Sequence, residues 1–204
     1  MKFAAVIPHV PYLRTPSTES IEWSTDKLKM RRRFALYDPK NTPKYTAVNE
    51  NSKSERKRII EKVGFPMIVK PANLAQSLLV TICYHEEELE KALRNAFRRI
   101  KTIYGENGRG EVPRMMVEEY MEGTMYSVDA YVNGKGTVYF CPMVKVVTGM
   151  NIGHQDFYNY MHISPTLLKK ESIEKAHEVT KTGIHALGLR NTTAHVELMK
   201  VEDE

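Results

Sequence analysis

Apolar positions along this chain recur with two periods, one helical and one of strands. From Glu86 to Ile103 they fall three and four apart, so that Leu89, Leu93, Ala96, Phe97 and Ile100 share one face of a predicted amphipathic helix. Three further helices are expected where a capping residue precedes good helix formers. Ser24 or Thr25 opens one that ends near Leu36, before Asp38-Pro39; Ser54 opens one that runs to about Val63 and is closed by Gly64; Ser172 opens one through Ala186, ended by Gly188. Short apolar runs at Thr46–Val48, Met67–Lys70 and Met115–Val117 read as strands, and Leu78–Tyr84 as the hairpin partner of the second. After Gly123 the runs lengthen to Tyr126–Val132 and Thr137–Val147, joined by the hairpin signal Asn133-Gly134, and a last strand is expected over Thr192–Val201. Residues 1–24, with Pro8, Pro11 and Pro16, read as an extended lead-in; Tyr104–Pro113 reads as a loop, Met150–Pro165 as irregular, and Glu202–Glu204 as the start of a turn. The order β-α-β-β-α-β followed by β-β-α-β predicts an α+β fold with antiparallel sheets.

Composition narrows the function classes. With 204 residues and 42% hydrophobic content the chain can bury a full core. The apolar start Phe3–Ile7 is broken by Pro8, and no run approaches a membrane span, so a soluble, cytoplasmic protein is expected. Cys83 and Cys141 lie far apart and form no C-x-x-C, which gives no zinc or redox motif and suggests buried free thiols. Thirty Lys and Arg against 25 Asp and Glu leave +5, with the excess between Lys27 and Arg58. Such a run is either a solvated helix face or an attractor of a polyanion, and charge alone does not separate the two. No basic stripe interleaved with aromatics supports nucleic acid as the partner.

Three places could carry chemistry. Lys70 ends an apolar strand and is followed by Pro71, which suits a point charge on a phosphate as well as an ordinary lysine snorkelling from a strand end. The segment Val117-Glu118-Glu119-Tyr120-Met121-Glu122-Gly123 runs from one strand group to the next. Its backbone could read a base edge beside Tyr120 and Met121, or it could be an acidic surface turn. His195 and Glu197 share one face of a strand, where a carboxylate could hold Mg²⁺ or simply face solvent.

The order of these elements carries more than any one of them. Asp26-Lys27, Phe65-Pro66-Met67-Ile68-Val69-Lys70-Pro71, Val117–Gly123, Ser127-Val128-Asp129 and His195-Val196-Glu197-Leu198 succeed one another as in the ATP-grasp superfamily, which the chain resembles over about residues 24–201. Lys70-Pro71, His162-Ile163-Ser164-Pro165 and Leu187–His195 look most like the L-amino-acid ligases; the overall look is also similar to biotin carboxylase-type domains. The resemblance implies two lobes, each an antiparallel sheet with packed helices, and a nucleotide cleft between them. It implies a lead-in over 1–24 left from a preceding domain, a first lobe over 25–122 and a second, incomplete lobe over 123–204. It also implies ATP and Mg²⁺, and an ADP-forming ligase that phosphorylates a small-molecule carboxylate and passes the acyl group to an amine. By position, Lys27, and after it Lys29, would reach the phosphates; Lys70 would contact the α- and β-phosphates and Ser77 belong to the lid over them. Glu118, Glu119, Tyr120 and Met121 would line the adenine, largely through backbone atoms, and Glu197 would be the first Mg²⁺ carboxylate.

The sequence departs from the family pattern in three ways. The lid Ala72-Asn73-Leu74-Ala75-Gln76-Ser77-Leu78-Leu79 has Ala75 and Leu79 where glycine is common, and a Cβ there opposes positive φ. Met125 stands where a ribose-binding glutamate is frequent. The chain also stops soon after Glu197, before the second metal carboxylate of the family pattern, so truncation at both ends is expected. The alternative function is a catalytically impaired remnant of the same fold, acting as a nucleotide-binding or interaction module.

Overall fold

The computed structural model describes residues 6–73, 78–106, 114–154 and 156–201. Ser77 and the lid residues 74–77, residues 107–113 of the expected loop, and the expected turn at Glu202–Glu204 lie outside the described residues. The chain folds as two compact units, one of Pro43–Met121 and one of Met1–Thr42 with Glu122–Glu204.

In the Pro43–Met121 unit, β1 (Tyr45–Val48), β2 (Met67–Pro71), β3 (Thr81–Cys83) and β4 (Met115–Glu119) form an antiparallel sheet in the order β1-β4-β2-β3. Alternation along each strand sends Val48, Met67, Val69, Cys83, Met115 and Val117 to one face. The helices α3 (Lys53–Val63) and α4 (Glu86–Glu106) cover that face through Ile59, Val63, Leu89, Leu93 and Ala96. Of these positions, Leu89, Leu93 and Ala96 are the ones the apolar spacing marks. Ser52, rather than the expected Ser54, caps α3 by accepting from Glu55 N at 3.2 Å, and Gly64 closes it with φ of +82°. Arg58 ties α3 to the sheet edge, donating to Thr46 Oγ1 and the Ala47 carbonyl at 2.8 and 2.7 Å.

The second unit contains α1 (Thr18–Thr25), α2 (Lys27–Tyr37) and α5 (Lys170–Ala186), with β5 (Gly123–Val132), β6 (Val138–Phe140), β7 (Val144–Thr148), β8 (Asn159–Ile163) and β9 (Thr192–Val201). β9 pairs with β5 along its whole length; β6 and β7 share the other edge of β5, and β8 extends the sheet beyond β7. Ala130 and Val132 pack against Ile184, Leu187 and Leu189, with Trp23, Met30 and Phe34 closing over them.

Several expectations are corrected. The lead-in is not extended throughout: Ser17 accepts from Ser20 N at 3.1 Å and starts α1. Pro16 precedes that cap, where no helical N–H is needed, so the proline does not oppose a helix. Asp26, not Ser24 or Thr25, caps α2, accepting from Leu28 N and Lys29 N. Residues up to Thr42 group with the later part of the chain rather than with a first lobe beginning at 25. The cause is contact: Ser20 Oγ donates to the Gly188 carbonyl at 2.9 Å, and Arg33 Nε donates to the Ala186 carbonyl at 2.8 Å while stacking on Trp23. Helix α5 begins at Lys170, before the expected cap Ser172.

The expected strand Thr137–Val147 is two strands, because Pro142 brings no N–H to a ladder. The turn before it is the loop Asn133–Thr137, not a two-residue Asn133-Gly134 turn. Asn133 Oδ1 accepts from Lys135 N and Thr137 N, each at 2.9 Å, and the positive φ of +89° falls on Gly136. Part of the irregular segment, Asn159–Ile163, is strand β8.

Candidate functional site

Lys70 lies one residue from the end of β2, on the face opposite α3 and α4. Neighbouring β4 places Glu118 opposite Ile68 and Met116 opposite Lys70. Lys70 and Glu118 are thus diagonal neighbours on one face, and their side chains form an ion pair. The pair is nearly dry, with the side chains 15% and 5% exposed. A lysine held this way is a fixed point charge, with its amine aimed by the carboxylate beside it.

The Glu118 backbone sits inside the sheet, in register with Tyr45 on one side and Ile68 on the other, and its carboxylate pairs with Lys70. Glu119 N donates to the Lys44 carbonyl at 2.9 Å, and its Oε2 accepts from Lys44 N at 3.1 Å. Tyr120 N donates to the Pro66 carbonyl at 3.1 Å. Glu119, Tyr120 and Met121 are half-buried, so the stretch leaving β4 is pinned to its unit up to Tyr120. Lys44 is not singled out by the sequence; its only signal is its place just before β1.

Leu79 stands where the resemblance expects glycine, yet it adopts φ of +57°. The left-handed backbone costs a residue with a Cβ about 1–2 kcal/mol. Packing of the Leu79 side chain with Leu78 and Ile103 around buried Ile100 opposes that cost. The chain therefore keeps a glycine-like path at this point without glycine, although the Cβ opposes it.

In the second unit, the β5–β9 register sets Ser127 opposite Glu197 and Asp129 opposite His195. His195 Nδ1 lies 2.8 Å from Asp129 Oδ1, and its Nε2 lies 4.0 Å from Glu197 Oε1. All three side chains are more than half exposed. The pairing of Asp129 with His195 follows from strand register, which the sequence alone does not print. Met125 pairs with Met199 two positions beyond Glu197, at the end of this strand pair nearer Gly123. Lys27 is the first residue of α2 and is half-buried in the same unit. Lys29 is occupied by an ion pair with Glu22. The structure therefore brings together Lys70 with Glu118, and Glu197 with His195 and Asp129.

The donor chemistry suits Mg²⁺. Glu197 offers hard oxygen donors on an open side chain, and Mg²⁺ typically takes one or two carboxylates, with water and substrate phosphate filling the remaining positions. Among the described residues no group of three His, Cys, Asp or Glu side chains is arranged to hold a metal by itself. No helix among the described residues is long and apolar enough to cross a membrane.

The chain is similar to several known proteins. Alanine–anticapsin ligase of Bacillus subtilis (strain 168) is 24% identical over 192 residues, which are 91% of this chain and 40% of that protein. The solved L-amino acid ligase of Bacillus licheniformis shares the fold over 98% of this chain and 42% of its own, with a TM-score of 0.75 at 20% identity. The biotin carboxylase domain of the Hydrogenobacter thermophilus 2-oxoglutarate carboxylase, solved with MgADP, ADP and bicarbonate, gives a TM-score of 0.72 at 19% identity over 98% of this chain and 42% of that one. The chain thus spans about 40% of the length of that first curated relative. The family model of the ATP-grasp domain matches residues 63–204, which include β2 with Lys70, β4 with Glu118 and β9 with Glu197, and the chain belongs to that family.

Proposed function

We propose that the protein supplies the ATP- and Mg²⁺-binding part of an ADP-forming ligase that joins a carboxylate to an amine through an acyl phosphate. The observation that carries this reading is Lys70, held by Glu118 at the end of β2 in a chain of the ATP-grasp family. One relative is named for joining alanine to anticapsin and one solved structure is named an L-amino acid ligase, which fits a carboxylate and an amine as substrates.

Each residue has a chemical task in this reading. The Lys70 ammonium neutralises charge on the ATP phosphates, and Lys27 adds a second cation. Glu119, Tyr120 and Met121 line the adenine, whereas Glu118 acts through Lys70 by fixing its amine. Glu197 holds Mg²⁺, which when bound screens charge on the phosphoryl group in transfer. The substrate carboxylate attacks the γ-phosphorus, the bond to the β-phosphate oxygen breaks, and ADP leaves. The amine then attacks the acyl carbon, phosphate departs and the amine proton passes to solvent or buffer. No protein nucleophile is needed, because positioning and charge neutralisation suffice for phosphoryl transfer.

The test is the fate of ATP when the protein is incubated with Mg²⁺ and mixtures of amino acids. The reading expects ADP and phosphate, formed only when a carboxylate and an amine are both present. Release of AMP and pyrophosphate instead would show an acyl adenylate and overturn it.

A further inference from the structure

On the strand pair that carries Glu197, the same face continues past Asp129 and His195 to Tyr131, which lies opposite Thr193 on β9 and Tyr139 on β6. The Tyr131 and Tyr139 rings stack with centroids 6.2 Å apart and planes at 25°, yet they remain 47% and 56% exposed. A cross-strand tyrosine pair can serve sheet stability alone. Here it is an open aromatic shelf that ends beside a carboxylate. Asp129 is oriented by His195 at 2.8 Å and its side chain is 68% exposed. Residues two apart on a strand are separated by about 7 Å, so a ring lying on the shelf and a cation on Asp129 are one short linker apart. Aromatic faces and carboxylates both attract cations, and Glu197 adds a second carboxylate to the face. The face therefore matches a positively charged ligand with an apolar body.

We infer that Tyr131, Tyr139 and Asp129 form a subsite for an ammonium-bearing substrate with an aromatic or bulky apolar side chain. The ammonium sits at Asp129 and the side chain lies on the tyrosine shelf. The inference rests on the ligase reading, since it names a class of amino substrate for that reaction. His195 acts as a positioning residue, because it orients Asp129.

The test uses phenethylammonium as the probe, followed by calorimetry and by the shifts of the tyrosine ring resonances. Propylammonium, which lacks the ring, and phenylacetate, which lacks the cation, are the comparisons. The inference expects saturable binding of phenethylammonium, about fivefold tighter than propylammonium. Asp129→Asn should weaken it about tenfold. Tyr131→Ala with Tyr139→Ala should reduce it to the level of propylammonium, whereas Tyr139→Phe, which keeps the ring, retains it. Circular dichroism and unfolding midpoints establish that each variant is folded. No saturation, equal affinity for phenylacetate, or undiminished binding in Asp129→Asn would overturn the inference. Stabilisation by MgATP is measured on the same samples. If that persists while amine binding is absent, the subsite is refuted and the ligase reading stands; if both are absent, the reading beneath it fails too.

Discussion

Replacing Glu118 by leucine withdraws the carboxylate that faces Lys70 and leaves the ammonium in a setting built for a charge pair. Both side chains are nearly out of water, 5% exposed for Glu118 and 15% for Lys70. Breaking a buried pair from one side costs about 3–5 kcal/mol. The residual exposure of Lys70 puts Glu118→Leu at the lower end, about 3 kcal/mol. Lys70→Met strands the more deeply buried partner and should cost about 4 kcal/mol. The double variant, Lys70→Met with Glu118→Leu, replaces the pair by apolar groups of similar volume and should lie within about 1 kcal/mol of the parent, since such replacements are often neutral. The assay is urea unfolding of the four proteins, followed by a probe within Pro43–Met121. The two single losses then sum to about 7 kcal/mol against about 1 for the double variant, a coupling of about 6 kcal/mol. Single losses below about 1 kcal/mol, or a double loss equal to their sum, would refute the claim that this pair is mutually compensating in a dry setting.

Other residues give further expected outcomes. A Cβ at Gly123 would lie 2.1 Å from the Lys200 carbonyl oxygen, in backbone paired with β9, so Gly123→Ala should lower stability by about 3 kcal/mol, read as a fall in the unfolding midpoint. Burial pushes the Cys83 thiol up to about 12, whereas Cys141 is exposed; a thiol reagent at pH 7.5 should therefore label Cys141 in the native protein and Cys83 only after unfolding. His177 stacks on Phe140 at 4.1 Å with its Nε2 buried and without a hydrogen-bond partner among the described residues, and burial lowers its pKa. The unfolded chain then takes up this proton first as the pH falls, so the contribution is whole above about pH 6.5 and declines as the pH drops through the lower folded value. His177→Phe should flatten that acid-side slope in unfolding midpoints measured between pH 7.5 and 5.5.

Much of the fold is legible because it rests on local pattern. The α4 stripe from Leu89 to Ile100, the apolar run before Lys70 and the bounds Thr192–Val201 of β9 need only periodicity and end signals. Helix α1 is hidden by its prolines, since Pro16 looks like a breaker until Ser17 is seen to cap the helix after it. The hairpin after Val132 departs from its Asn133-Gly134 signal because Asn133 closes the turn through its own side chain, which moves the positive φ to Gly136. At the candidate site, a strand end and alternation mark Lys70 and Glu197 as candidates, and the family resemblance gives them their expected roles. Their partners are not marked in this way, because Glu118 reaches Lys70, and Asp129 reaches His195, only through a register set by tertiary pairing. Leu79 shows the converse limit: a side chain that looks wrong for the backbone is tolerated because it also packs on Ile100.

The claim that Lys70 and Glu197 serve ATP and Mg²⁺ is tested most directly by calorimetric binding of ATP to the parent protein, Lys70→Met and Glu197→Gln, each with Mg²⁺ and with chelator. Mg²⁺-dependent binding to the parent is expected. Glu197→Gln should lose the Mg²⁺ dependence, and Lys70→Met should lose about tenfold or more in affinity, the value of one charge-assisted contact. Equal binding by all three proteins, or binding indifferent to Mg²⁺ in the parent, would contradict it.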